Sequence, residues 1–213
     1  MTSLQQFLQD FGSFSMAQST LQPVCTPFKT KKGFIAYLKS KQYIFGMTPA
    51  LGLAEPVCAF EDKEYLINSF LKNIKATAFI QISEEMAYLL QKKHGFYIVP
   101  FAEEHYLDVR TVSYNWKERP NLKRYKNKFF KLGYTCKEIS SESHYYEQCE
   151  VISKIWLQSK RHQRFEQSFL TRPFEVKKEK NVRVFTLQRH HQIIAFATLD
   201  PIYSNGLIIS YMI

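Results

Sequence analysis

The chain has 213 residues, 45% hydrophobic and 15% aromatic, with 7 Gly and 8 Pro; this globular composition excludes disordered and collagen-like sequence and allows one sizeable core or two small ones. No window approaches the roughly 18 uninterrupted apolar residues of a membrane-spanning helix, and the first twenty residues lack the basic start of a signal peptide, so a cytosolic chain is expected. Lys and Arg number 29 against 19 Asp and Glu, and the net charge of +10 favours nucleic acid, anionic lipid or acidic partners without choosing among them.

Residues 1–30 are broken by Pro23 and Pro27, although Leu4, Phe7, Leu8 and Phe11 have the spacing of a short amphipathic helix. Phe34 to Leu38 and Tyr43 to Met47 are β-rich runs around the polar stretch Lys39 to Gln42, which predicts a hairpin, and Leu51 to Pro56 reads as a loop. Leu66, Ile67, Phe70, Leu71 and Ile74 recur at helical spacing behind Glu61, Asp62 and Glu64, and Thr77 to Ile82 is a short apolar strand. Ser83 suits the N-cap of a second helix carrying Met86, Leu89 and Leu90, with Lys92, Lys93 and Gly95 at its end. Phe96 to Val99 and His105 to Val109 are read as two further strands.

Between Lys117 and Lys131 seven basic residues face one acid, Glu118, so a local charge of +6 falls within fifteen residues. Pro120 suits a first helical turn and Gly133 a C-terminus, which predicts a basic helix with Leu122, Tyr125, Phe129 and Phe130 as its apolar stripe. Tyr134 to Ile139 reads as a strand. A helix follows in which Tyr145, Cys149, Ile152 and Trp156 share a core face. Val182 to Leu187, Ile193 to Leu199 and Leu207 to Ile213 are three consecutive antiparallel strands, the first two joined at Arg189 to Gln192 and the last two by a loop containing Pro201. Cys25, Cys58, Cys136 and Cys149 have no C-x-x-C spacing, and His190 and His191 read as turn residues, so no metal site is expected.

This order of elements, in an α/β (α+β) chain, resembles two copies of the GNAT acyltransferase fold. The residues resemble the phosphatidylglycerol lysyltransferase C-terminal domain family from about Gly33 onward. Leu51-Gly52 with Glu55-Pro56-Val57 is similar to the family's L-G-D-P-V with a two-residue irregularity, and Phe79-Ile80-Gln81-Ile82-Ser83-Glu84-Glu85 to its F-Y-Q-V-S-E-E junction. His94-Gly95-Phe96 and Glu104 ahead of Leu107-Asp108 follow in the same order. Asn121-Leu122-Lys123-Arg124-Tyr125-Lys126-Asn127-Lys128, ending in Leu132-Gly133-Tyr134, resembles the basic connector N-L-R-x-x-x-N-R ending in E-G-Y. Ile155-Trp156-Leu157 to Lys160, and Ile193-Ile194-Ala195-Phe196-Ala197, resemble the second module's helix and central strand.

The resemblance implies a first module over 1–116, a connector helix over 117–133 and a second module over 134–213. It also implies transfer of an aminoacyl group from aminoacyl-tRNA to phosphatidylglycerol or a related acceptor; the alternative is a non-catalytic relative binding RNA or anionic lipid through the basic helix. Such chemistry holds a polyanionic RNA and a lipid hydroxyl in line and stabilises an oxyanion. Lys123, Arg124, Lys126, Lys128, Lys160 and Arg161 are the candidate phosphate contacts, and Arg164 and Glu166 the candidate substrate contacts. No catalytic residue is assigned and no cofactor is expected, because Leu51 to Pro56 lacks the glycines that cradle a coenzyme A pyrophosphate. Binding at the inner face of the membrane is implied. The family continues past the strand Leu207 to Ile213, where it often reads V-D-L-M-R and this chain has Ile209-Ser210-Tyr211-Met212-Ile213. The second module is therefore read as truncated after its fourth strand, with self-association expected through residues 207–213.

Overall fold

The computed structural model describes residues 3–39, 49–111, 117–140, 144–159, 172–174, 179, 181–203 and 206–212. Its N-terminal sheet has the order β1-β2-β3-β4, from Thr26–Lys29, Gly33–Lys39, Ala50–Cys58 and Ala76–Ile80. The first three strands are antiparallel and β4 joins β3 in parallel. Alternate β2 residues feed the two faces. Phe34 and Ala36 pack under α1 (Leu4–Phe11), while Ile35 and Tyr37 pack under α2 (Lys63–Asn73) and α3 (Glu84–His94). On that second face Phe28, Tyr37 and Phe79 stand edge-on around the buried Phe70, with ring centroids 5.5, 5.4 and 5.8 Å away.

Helix α1 forms where the Leu4, Phe7, Leu8, Phe11 spacing predicts it, and the Ser3 hydroxyl accepts from the Gln6 N–H at its start. Helix α3 has Ser83 as its N-cap and ends at Gly95, whose φ of 71° favours glycine. The stretch 51–56 is a correction: it lies inside β3, not in a loop. Gly52 and Pro56 read as punctuation, yet the strand is buried along most of its length and accommodates them locally. Phe34 faces Val57 while Ala36 faces Leu53, so β3 carries two extra residues at a bulge, with Ala54 at φ 59°. Gly52 gives the Phe79 ring its place, since a Cβ there would lie 2.4 Å from it. The predicted strand Tyr43 to Met47 lies outside the described residues, and β2 pairs with β3.

The second correction concerns 96–99 and 105–109, which are irregular chain instead of strands. Neither run has a ladder partner among the described residues, and Tyr97, Val99, Phe101, Tyr106, Leu107 and Val109 are exposed. Alternating apolar residues do not make a strand without a neighbour to hydrogen-bond.

The C-terminal sheet is antiparallel throughout, β5-β6-β7-β8, from Tyr134–Ile139, Arg183–Arg189, Gln192–Ile202 and Gly206–Met212. Pro201 falls within β7 instead of the following loop. His190 and His191 form the β6–β7 turn, with φ of 49° and 66°. One face of the sheet is covered by α5 (Tyr145–Ser159), where Cys149 and Tyr146 pack on Ile139, Val184, Ile193 and Phe196. Trp156, predicted for that core, is only half-buried.

Tyr203, just beyond β7, joins the two sheets. Its N–H donates to the Gly12 carbonyl at 3.0 Å, its hydroxyl donates to Gln18 Oε1 and accepts from Gln5 Nε2, both at 2.9 Å, and its ring packs in the α1 core.

Candidate functional site

Helix α4 (Pro120–Lys131) takes its start from Pro120 in the first turn and passes through Leu132 to Gly133 at φ 79°. Lys123, Arg124, Lys126 and Lys128 are all exposed on it. The apolar stripe is exposed as well: Leu122 is 53% exposed, Tyr125 51% and Phe130 75%. The anchor is Phe129, whose ring meets Tyr134 of β5 edge-on at 5.2 Å, while the Arg189 guanidinium lies 5.3 Å from the same tyrosine ring. Lys160, Arg161, Arg164 and Glu166 lie outside the described residues, as do Lys177, Lys178 and Lys180.

A cleft of about 480 Å³, within the usual range for small-ligand sites, opens where β5 ends and β6 begins. It is lined by Glu138, Ile139, Ser140, Tyr146, Asn181, Val182 and Arg183. At its mouth Arg183 makes a forked contact with Glu138, Nε to Oε1 at 2.9 Å and Nη2 to Oε2 at 2.7 Å, and these hydrogen bonds hold the Glu138 carboxyl below its ordinary pKa. Burial of Tyr146 pushes its phenol pKa up.

Behind Tyr146 and Val182 lies a cavity of about 10 Å³ bordered by Arg172, Phe174, Glu179, Val184 and Thr198. Arg172 donates through Nε to Asp200 Oδ2 at 2.9 Å, through Nη2 to Asp200 Oδ1 and through Nη1 to Glu179. Asp200 is 1% exposed and Arg172 8%. One buried guanidinium thus binds two carboxylates. Sequence reading missed this cluster, because residues 28 apart share no local period. The available signal was an acid set between Leu199 and Pro201 in a mostly apolar strand.

In the N-terminal sheet Glu55, beside the β3 bulge, accepts from Lys63 Nζ at 2.7 Å, from the Ser83 N–H at 3.2 Å and from the Ser83 hydroxyl. Burial opposes its ionisation, but the Lys63 and Ser83 donors outweigh it and leave the pKa lowered. A carboxylate thus occupies the N-terminus of α3, where a phosphate would otherwise meet free N–H groups. Nearby, Glu104 accepts hydroxyl hydrogen bonds from Ser15 and Tyr106 and ties the irregular segment to the α1 side. No described helix is long and apolar enough to cross a membrane.

The chain is similar to two solved structures. Against L-PGS from Bacillus licheniformis it is 22% identical with a TM-score of 0.80, covering 98% of this chain and 64% of that one. Against the C-terminal domain of a putative lysylphosphatidylglycerol synthetase from Agrobacterium fabrum it is 16% identical with a TM-score of 0.72, covering 98% of this chain and 66% of that one. The chain therefore spans less than two thirds of either structure, and the likeness shows the GNAT-like mixed α/β fold. No curated protein sequence matches it. The family model for the phosphatidylglycerol lysyltransferase C-terminal region matches residues 7–212, nearly the whole length, and the chain belongs to that family.

Proposed function

We propose that the chain carries an aminoacyltransferase-type activity, moving an aminoacyl group from aminoacyl-tRNA to phosphatidylglycerol or a related acceptor. The acceptor hydroxyl attacks the ester carbonyl, its oxygen bonds to the acyl carbon, the bond to the tRNA ribose breaks, and the hydroxyl proton ends on the ribose oxygen. An ester needs no further activation, so binding and alignment of two anionic substrates carry the reaction. Family membership supports this reading. The observation that carries it is the exposed cationic side chains of Lys123, Arg124, Lys126 and Lys128 on α4.

In this reading residues 1–116 and 134–213 are two modules joined by the 117–133 connector. Lys160 and Arg161 extend the phosphate-binding surface of α4, Arg164 and Glu166 contact the substrate, and the chain works at the inner face of the membrane. Self-association through 207–213 belongs to the same proposal, supported by the exposed Leu207, Ile209 and Met212 of the edge strand β8. A second reading, a non-catalytic protein that binds RNA or anionic lipid through α4, is favoured by the same exposed helix.

The test is incubation of the chain with charged tRNA and phosphatidylglycerol. A lipid-linked aminoacyl product that disappears after RNase treatment is the expected result. Tight, salt-sensitive binding of either polyanion without product would replace transfer by the second reading. Light scattering reads self-association, and a monomer at high concentration removes that part.

A further inference from the structure

Helix α4 combines two properties that phosphate binding alone does not require. Leu122, Tyr125, Phe129 and Leu132 fall at i, i+3, i+7 and i+10, so they form one ridge along the helix. Lys126 borders the ridge on one side, one turn from Leu122, and Lys128 borders it on the other, three residues from Tyr125. Phe130 stands beyond Lys126, and Arg124 beyond Lys128. All are exposed, and among the described elements β5 is the chief support of the helix, through Phe129 against Tyr134. Twelve helical residues give a ridge about 18 Å long.

We propose that α4 lies flat on an anionic bilayer, with Leu122 and Tyr125 immersed among the acyl chains and Lys123, Arg124, Lys126 and Lys128 reaching lipid phosphates. This deepens, and rests on, the reading of α4 as the polyanion contact. One observation, the exposed apolar ridge, selects a membrane over an RNA. A nucleic-acid backbone offers phosphates but no medium for an exposed Leu and Tyr aligned between the cations. A bilayer offers both, because an interfacial helix buries its apolar face at the headgroup boundary while long basic side chains snorkel to the phosphates. The charge is complementary: residues 117–131 carry +6, and basic side chains near an anionic leaflet each strengthen attachment by about fivefold. Docking in this way would hold the β5 end of the second module against the surface where a lipid acceptor resides.

The experiment compares three forms of the chain: wild type, Leu122→Ser/Tyr125→Ser, and Lys123→Gln/Arg124→Gln/Lys126→Gln/Lys128→Gln. Phe129 is kept because it anchors the helix, and circular dichroism checks that each form is folded. Sedimentation with phosphatidylglycerol–phosphatidylcholine vesicles, sedimentation with pure phosphatidylcholine vesicles, and binding to tRNA are the arms. The expected result is that the apolar variant loses at least about tenfold in partition onto phosphatidylglycerol vesicles while its tRNA affinity is unchanged, and that the Gln variant also loses vesicle binding. An independent readout is a Tyr125→Trp chain, whose added fluorescence should be quenched by lipids brominated on their acyl chains. Unchanged vesicle binding in the apolar variant, absent quenching, or a wild type that binds tRNA but not vesicles would overturn the proposal and leave α4 an RNA or purely electrostatic contact. Aminoacyl transfer to short-chain, water-soluble phosphatidylglycerol is the separating control. Its absence with vesicle docking intact removes the transfer reading alone, and its presence without docking removes this one alone.

Discussion

Replacing Arg172 by Met tests whether the buried charge cluster holds the C-terminal sheet and its covering layer together. The guanidinium makes a two-pronged contact with Asp200 and a further one with Glu179, and the Asp200 side chain is 2% exposed. Methionine fills similar volume but leaves the Asp200 carboxylate without its cation in a dry site. Removing one partner of a buried pair costs about 3–5 kcal/mol, because the orphaned charge stays desolvated. Glu179, with a more exposed side chain, turns toward water and adds less. For a chain of this size that loss corresponds to a fall in Tm of roughly 6–20 °C. Urea and thermal unfolding followed by far-ultraviolet circular dichroism measure it. Arg183→Met is the control: it breaks the Glu138 pair, whose partners are both nearly half-exposed, and should leave the midpoint within error. Adding Asp200→Asn to Arg172→Met should recover part of the loss, since the stranded charge is then gone. An Arg172→Met chain that loses less than about 1 kcal/mol, or a double variant no more stable than the single one, would refute the reasoning.

Three further outcomes follow from the N-terminal sheet and the joint between the two sheets. Glu55, held below its ordinary pKa in the fold, stabilises above the unfolded carboxyl value of about 4.3 and loses that contribution as pH falls through the lower folded value. The stability gap between wild type and Glu55→Gln, read by urea titration at successive pH, should therefore shrink below about pH 4. Gly52→Ala should cost about 1–3 kcal/mol, because the Phe79 ring that its Cβ would meet is wedged between Phe70 and Phe96; denaturant unfolding checks this. Tyr203→Phe removes the hydroxyl shared by Gln5 and Gln18, and native-state amide exchange should speed up in residues 3–22 while the β6–β7 amides keep their protection.

Much of the fold was legible wherever a local period carried it. Ser83, the apolar face of Met86 and Leu90, and Gly95 mark α3 within a residue, and the basic run from Pro120 marks α4. Failures arose where the deciding partner is distant in sequence. Gly52 and Pro56 punctuate β3 locally, but burial between two helical layers makes them strand residues. The runs 96–99 and 105–109 alternate like strands, yet no described neighbour pairs with them. For the candidate site, Lys123, Arg124, Lys126 and Lys128 were legible from charge density. The Arg172, Glu179 and Asp200 cluster was not, since it joins side chains 28 positions apart in the chain.

The second sheet shows the physical reason most directly. Along β6, Val184, Thr186 and Gln188 point to the face covered by α5 and are buried, whereas Phe185 and Leu187 lie on the opposite, half-exposed face. On β7, Phe196, Thr198 and Asp200 are buried while Ala195, Ala197 and Leu199 are half-exposed. Period-two alternation fixes which residues share a face, but not which face receives the covering layer. Composition alone does not choose, since Phe185, Leu187 and Leu199 mark one side while Val184, Ile193 and Phe196 mark the side that also carries the threonines and Asp200. The position of α5 makes that choice, and it has a chemical consequence. Asp200 enters a dry environment in which Arg172 makes its charge tolerable, so the ion cluster follows from the side on which the helix packs.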